Sequence, residues 1–269
     1  MIHIDLFSGI GGFSYAADQV WNDVEHIFCE IDPFCQQVLK KHWKGSVIYG
    51  DIRELIADAA RNRLQEPWTE KQATWNRQFP KVDLLTGGFP CQPFSQAGKR
   101  KGTNDDRHLW PKMLRVIQLT KPTWVVAENV RGLLTIEGGV VFEQVCLDLE
   151  REGYEVQAFI IPACAVNAPH RRDRVWIVAN KFKQGLQGWA EKRQGYFGQQ
   201  NRNGSNQRRN WNQNWLKVAT ELCGVDDGLP FELDGLKLSK AKHRVERLKA
   251  LGNSIVPQVA VEIFRGMVG

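Results

Sequence analysis

Apolar positions along the first 180 residues recur in two alternating textures. Short runs rich in β-branched and aromatic residues stand at 2–7 (IHIDLF), 25–32 (EHIFCEID), 46–50 (SVIYG), 82–87 (VDLLTG), 123–129 (TWVVAEN), 154–161 (YEVQAFII) and 174–180 (RVWIVAN). Each reads as a strand. Between several of them apolar residues fall three and four apart, as in PFCQQVLKKHW (33–43) and GVVFEQVCLDLEREG (139–153), which predicts amphipathic helices. Strands alternating with helices predict an α/β domain with a doubly wound, mostly parallel sheet. Such sheets take ligands beyond the carboxyl ends of their strands, near the reversal of strand order.

After Asn180 the pattern breaks. Residues 181–217 hold few aliphatics and many Asn, Gln and Trp, with eight Lys or Arg against one acid, Glu191. That local excess of seven exceeds the net +6 of the whole chain, so the positive charge is concentrated there. Helical periodicity returns in RVERLKALGNSIVPQVAVEIFRGMV, which predicts a helix that packs back on the main domain. The expected division is a discontinuous domain, 1–180 plus 240–269, interrupted by a small basic region, 181–239.

Composition narrows the class. A chain of 269 residues, 42% hydrophobic and 25% charged, has the balance of a globular protein with a sizeable core. A pI near 9.0 favours a polyanionic partner. The six cysteines (29, 35, 91, 146, 164 and 223) form no C-x-x-C pair and no zinc spacing, so reduced thiols and no metal are expected. No apolar run approaches spanning length, and MIHIDLF enters a strand without a charged leader, so a soluble cytoplasmic protein with no membrane partner is expected.

Candidate chemistry gathers at the strand tips. DLFSGIGGFS (5–14) places a glycine-rich turn between strand and helix, where the backbone can approach a ligand closely. Its spacing is G-x-G-G rather than G-x-G-x-x-G, an imperfect dinucleotide fingerprint. The second strand ends in CEID, where Glu30 is placed to bind ribose hydroxyls and Asp32 to cap the helix opening at Pro33. The third ends in GDIRE, with Asp51 placed to accept from an adenine amine. GGFPCQPFS (87–95) sets Cys91 on a loop stiffened by Pro90 and Pro93. A buried hydrophobe is the commonest fate of a free cysteine, but a strand-tip thiol near Lys99, Arg100, Lys101 and Arg107 fits an activated nucleophile. Gly98 and Gly102 read as hinges of a lid over 98–107. Glu128 emerges from the apolar TWVVAE, where desolvation would raise its pKa and suit it to engage a base. In HRRDR (170–174), Arg172 and Arg174 alternate with Asp173 and so share one side of an extended segment.

Together DLFSGIGGFS, CEID, GDIRE, GGFPCQPFS, AENV, HRRDR and LGNSIVPQV, in that order, resemble the DNA (cytosine-5)-methyltransferases of bacteria and phages. The resemblance implies a Rossmann-like domain that binds S-adenosyl-L-methionine, releases S-adenosyl-L-homocysteine and carries a small target-recognition insert. It implies that Cys91 adds to C6 of a cytosine flipped out of duplex DNA, that Glu128 engages N3 and the exocyclic amine, that Arg174 holds O2, and that Arg172 helps position the reacting groups. It places the cofactor against Asp5, Phe7, Gly9, Ile10, Gly12, Glu30, Ile31, Asp51, Ile52, Pro90, Asn253, Ser254 and Ile255. DNA contacts are expected at Gln92, Ser95, Lys99, Arg100, Arg107, Arg208 and Arg209. A monomer acting on double-stranded DNA is expected, with a restriction endonuclease as a separate companion. The insert is shorter than is common in the family, and HRVERLKALGNS runs two usually separated motifs together. Alternatives are a tRNA cytosine-5 methyltransferase, which shares the cysteine motif, a non-catalytic DNA-binding relative, and a nicotinamide oxidoreductase, in which the Pro-Cys-Gln loop has no role.

Overall fold

The computed structural model describes residues 1–63, 81–90, 109–168, 170–181, 250 and 253–268. Within them a seven-stranded sheet forms from β1 (Ile2–Leu6), β2 (Glu25–Cys29), β3 (Val47–Tyr49), β4 (Leu84–Gly87), β5 (Trp124–Val130), β6 (Glu155–Pro162) and β7 (Asp173–Asn180). Each β-rich run of the sequence is one of these strands. The spatial order is β3-β2-β1-β4-β5-β7-β6, so strand order reverses between β1 and β4. The first five strands are parallel, and β7 runs antiparallel to both β5 and β6.

That one reversed strand decides where the arginines go. Because β7 runs against β5, its first residues lie beside the last residues of β5, with Val130 opposite Arg174. A seventh parallel strand would have put Arg174 at the far edge of the sheet.

Helices cover both faces: α1 (Gly12–Asp18), α2 (Pro33–His42), α3 (Ile52–Arg63), α4 (Trp110–Thr120), α5 (Val140–Arg151) and α6 (Pro257–Val268). On one face Ile4, Leu6, Leu85, Val125 and Ile177 pack with Met113, Val116 and Ile117 of α4 and Val145 and Leu149 of α5. On the other, Leu84, Val126, Trp176 and Val178 pack with Phe13 and Ala16 of α1 and Ile263 and Phe264 of α6. Neighbouring residues such as Leu84 and Leu85 therefore enter opposite cores, as strand alternation requires. The tail periodicity has its cause here: α6 buries Val259, Ala260, Ile263 and Phe264, three and four apart.

Local chemistry sets the helix starts. Asp32 caps α2 by accepting from the Phe34 N–H at 2.9 Å, with Pro33 at the first helical position. At the start of α1, Gly11 has φ +84°, and a β-carbon there would lie 2.5 Å from the Trp43 ring. Both facts require glycine.

Candidate active site

A cavity of about 780 Å³ opens beyond the carboxyl ends of β1 to β5, at the reversal of strand order. Its floor is the turn after β1. Phe7 (φ +54°) and Gly9 (φ +54°) both adopt left-handed backbone, and among the described residues nothing lies within 4 Å of the place where a Gly9 β-carbon would be. Gly9 thus leaves room for a ligand. Gly12 does not face the cavity: a β-carbon there would meet Ile255 at 2.8 Å, so this glycine admits the tail segment.

Glu30 ties the turn to β2. Its Oε2 accepts from the Gly9 N–H at 2.7 Å and its Oε1 from the Asp32 N–H at 2.7 Å. Burial raises its pKa above the usual carboxylate range, with those backbone bonds opposing the shift. Beside it Ile31 is 75% exposed, an apolar side chain held open on the cavity wall. Asp51, at the tip of β3, is gripped by Arg53 through Nε and Nη2 at 3.0 and 2.6 Å, and these bonds lower its pKa to about 2.

The opposite wall is charged. Glu128 of β5 lines the cavity with a side chain 12% exposed, and its Oε1 meets Arg174 Nε at 2.8 Å. Burial pushes its carboxyl upward, against the pull of Arg174 and Arg172. A β-carbon on Gly88 would lie 3.4 Å from its Oε2, so the β4 loop passes close by. Arg172 also lines the cavity, and its Nη2 donates to the Ser254 carbonyl at 2.8 Å, joining the start of β7 to the tail. Burial lowers the Arg172 pKa, Arg174 adds to that, and Glu128 opposes it.

The arginines reach this wall by a route unlike the one expected. Alternation with Asp173 predicts Arg172 and Arg174 on one side of an extended segment. In the structure β7 begins at Asp173, and Arg172 sits before it at φ +37°, outside extended backbone. Asp173 is held at this bend by Arg171 at 3.0 Å and Arg131 at 3.3 Å. The bend, rather than strand alternation, brings both guanidiniums to the cavity.

Of the remaining expected residues, Ile52, Pro90 and Asn253 line the cavity with Phe7, Gly9, Glu30, Ile31 and Asp51. Five stand behind its wall. Asp5 is fully buried beneath the turn, bonded to Ser14 and Thr86. Ile10 packs with Phe34, Cys35 and Val38. Gly12, Ser254 and Ile255 form the junction between turn and tail. Cys91, Gln92, Ser95, Lys99, Arg100, Arg107, Arg208 and Arg209 lie outside the described residues, as do the 98–107 segment and nearly all of 181–239.

Two residues outside the expected set contribute. Buried Asn129 donates through Nδ2 to the Phe89 carbonyl at 2.9 Å and accepts from the Val130 N–H at 2.8 Å, tying β5 to the loop one residue before Pro90. Lys112 of α4 lines the cavity. The Asn in AEN was available as a signal, whereas a single lysine in WPKMLRVIQLT carries none.

A model of the C-5 cytosine-specific DNA methylases matches residues 1–221. The chain belongs to that family. Among curated methylase relatives, the type II methyltransferase M.NlaX of Neisseria lactamica is 33% identical over 178 residues, 65% of this chain and 50% of that protein. M2.BsuMI of Bacillus subtilis is 32% identical over 185 residues, 67% of this chain and 42% of that protein. The chain therefore spans about half or less of these relatives. Among solved structures, a mutant Dnmt2 from Spodoptera frugiperda aligns over 100% of this chain and 99% of its own, with TM-score 0.60 and 16% identity. The Dnmt2 methyltransferase of S. pombe aligns over 100% and 98%, with TM-score 0.59 and 19% identity. These two matches establish the fold, a doubly wound, mostly parallel, Rossmann-like sheet. Among the described residues no helix is long and apolar enough to cross a membrane, and no cluster of His, Cys, Asp or Glu could hold a metal.

Proposed function

We propose that the chain transfers a methyl group to C5 of a cytosine turned out of double-stranded DNA, at a fixed sequence and in a restriction-modification or protective setting. The observation that carries this reading is the Glu128–Arg174 pair at 2.8 Å, set with Arg172 in a strand-tip cavity beside the Pro90 loop.

The residues present fit S-adenosyl-L-methionine. Open space over Gly9, exposed Ile31 and the carboxylates of Glu30 and Asp51 suit an adenosine, with Phe7, Ile52, Pro90 and Asn253 completing the walls. When bound, that group supplies an electrophilic methyl on a sulfonium sulfur and leaves as S-adenosyl-L-homocysteine. Asp5, Ile10, Gly12, Ser254 and Ile255 hold this wall from behind.

Cytosine C5 is too poor a nucleophile to take a methyl group unaided. The Cys91 thiolate adds to C6, and the electrons of the C5–C6 double bond move toward N3 and C5. Glu128 donates to N3 and accepts from the exocyclic amine, which its raised pKa favours. Arg174 holds O2, and Arg172 positions the reacting groups. After methylation the C5 proton leaves to a base, the C6–sulfur bond breaks, and the double bond reforms. The catalytic domain is the discontinuous one, 1–180 plus 240–269, a division supported by α6 packing on the α1 face and by the Arg172–Ser254 bond. Residues 181–239 read the target, with Arg208 and Arg209 on phosphates. The chain works as a cytoplasmic monomer, with any restriction endonuclease acting separately.

Labelled methyl transfer to duplex DNA and to tRNA tests the proposal. Incorporation into duplex DNA is expected; incorporation into tRNA alone would overturn it.

A further inference from the structure

Beneath the turn, on the sheet face covered by α1 and α6, polar side chains run in a row across β2, β1 and β4. Asp18 Oδ1 lies 2.9 Å from His26 Nε2, His26 Nδ1 lies 3.0 Å from His3 Nδ1, His3 Nε2 lies 2.8 Å from Thr86 Oγ1, and Thr86 Oγ1 lies 3.1 Å from Asp5 Oδ1. His3, Thr86 and Asp5 are 0% exposed and His26 is 3% exposed. At its outer end Asp18 also accepts from the Trp43 indole at 2.9 Å, and at its inner end Asp5 Oδ2 accepts from the Ser14 hydroxyl at 2.7 Å. The titratable groups around the row are Asp5 and His3 on β1, His26 on β2 and Glu30 just after it, and Asp18 on α1; β4 contributes the Thr86 hydroxyl.

Each hydrogen bond in the row needs one hydrogen, and the row has four bonds. Two neutral imidazoles and one hydroxyl bring three hydrogens, and ionised carboxylates bring none. With both carboxylates ionised and both rings neutral, one link must face acceptor to acceptor, which a dry interior penalises strongly. We propose that the row carries one additional proton and that it resides on Asp5, a neutral carboxylic acid that positions the turn from below.

The choice of Asp5 follows from counting charges. With the proton on Asp5, every link runs the same way: Asp5 donates to Thr86, Thr86 to His3 Nε2, His3 Nδ1 to His26 Nδ1, and His26 Nε2 to Asp18. One charge remains, at the solvent end, where the Asp18 side chain is 39% exposed. With the proton on either ring, Asp5 and an imidazolium are both charged in the interior, where each ion has lost its hydration. Burial agrees with this, raising Asp5 to about 7 and holding His3 well below its ordinary value. Asp5 touches neither the cavity nor a reacting atom. It ties β1 to β4 through Thr86 and to α1 through Ser14, and its carbonyl accepts from the Ser8 hydroxyl of the turn at 2.6 Å.

The Asp5→Asn variant separates the two placements, because an amide keeps one donor for Thr86 and one acceptor for Ser14. The full chain, wild type and D5N, is unfolded in urea from pH 4 to pH 8, and the Asp5 carboxyl carbon of the ¹³C-labelled wild type is followed by NMR. A folded pKa raised above the unfolded one contributes stability that is complete below about pH 4 and is lost as pH rises through about 7. The expected result is a wild-type Asp5 resonance in the protonated range at pH 6, and a D5N protein at least as stable at pH 8 with a flatter pH profile. A resonance in the ionised range at pH 6 would overturn the proposal, whether or not D5N folds. A D5N protein much less stable than wild type at pH 8 would also overturn it.

Discussion

Glu128 and Arg174 meet at 2.8 Å across antiparallel β5 and β7, the former 12% and the latter 22% exposed in its side chain. This contact exists because β7 is reversed and so begins where β5 ends. Burial works against the Glu128 charge and the two arginines work for it. The carboxyl is therefore poised to take or share a proton, as the proposed contacts to N3 and the exocyclic amine of one base require.

Replacing Arg174 by alanine leaves that carboxyl buried without its closest cation. Breaking a buried pair costs about 3 to 5 kcal/mol when the remaining charge cannot escape. Here Glu128 can escape by protonating, so the loss should depend on pH. A carboxyl with its folded pKa raised further loses stability as pH rises through that value. Arg174→Ala should thus melt close to wild type near pH 5 and well below it near pH 8, with methyl transfer falling at least 100-fold. Thermal melts across that range check the first expectation, and labelled methyl transfer the second.

Glu30→Gln tests the hinge between turn and β2. The carboxylate accepts from two backbone N–H groups, of Gly9 and Asp32, one on each oxygen. A glutamine amide offers one acceptor and turns its NH₂ toward the other N–H. A stability loss of about 1 to 3 kcal/mol is expected, with S-adenosyl-L-homocysteine binding at least tenfold weaker by calorimetry. Binding at wild-type strength would remove Glu30 from the cofactor site.

Asn129→Ala removes the bond to the Phe89 carbonyl just before Pro90 and Cys91. A drop in kcat with KM for the cofactor unchanged is expected, since the loop carrying the thiol loosens while the Gly9 side of the cavity stays intact. Equal losses in both would show a general collapse instead.

The junction between turn and tail is testable by a cycle. Gly12→Ala drives a β-carbon to 2.8 Å from the Ile255 side chain, and overpacking of this kind costs about 1 to 3 kcal/mol. Ile255→Ala in the same chain should recover part of that loss, giving a negative coupling energy in urea unfolding.

What the sequence disclosed, and what it hid, follows from the range of the interactions. Strand positions were legible because each run keeps its own β-rich texture between polar segments. The cap at CEID was legible too, since an Asp before Pro33 is a local cap signal and Asp32 does cap α2. The row from Asp18 to Asp5 was not. In IHID the polar His3 and Asp5 alternate with Ile2 and Ile4, yet His3 and Asp5 are as buried as Ile4 and Leu6. Their partners arrive from β2 and β4, and α1 and α6 close over them, which no local pattern records. Arg172 was misjudged for a similar reason: its left-handed backbone accompanies an Asp173 held by Arg131 and Arg171, a contact that alternation within HRRDR cannot reveal.

In the proposed reaction Cys91 is the nucleophile that drives methylation of cytosine in duplex DNA. Bisulfite sequencing of plasmid DNA from cells lacking other cytosine methylation, expressing either the chain or its Cys91→Ser variant, tests it most directly. Unconverted cytosines at one recurring sequence with the wild type, and none with the variant, are expected. Complete conversion in both would rule out the methylation, and equal protection in both would remove Cys91 from it.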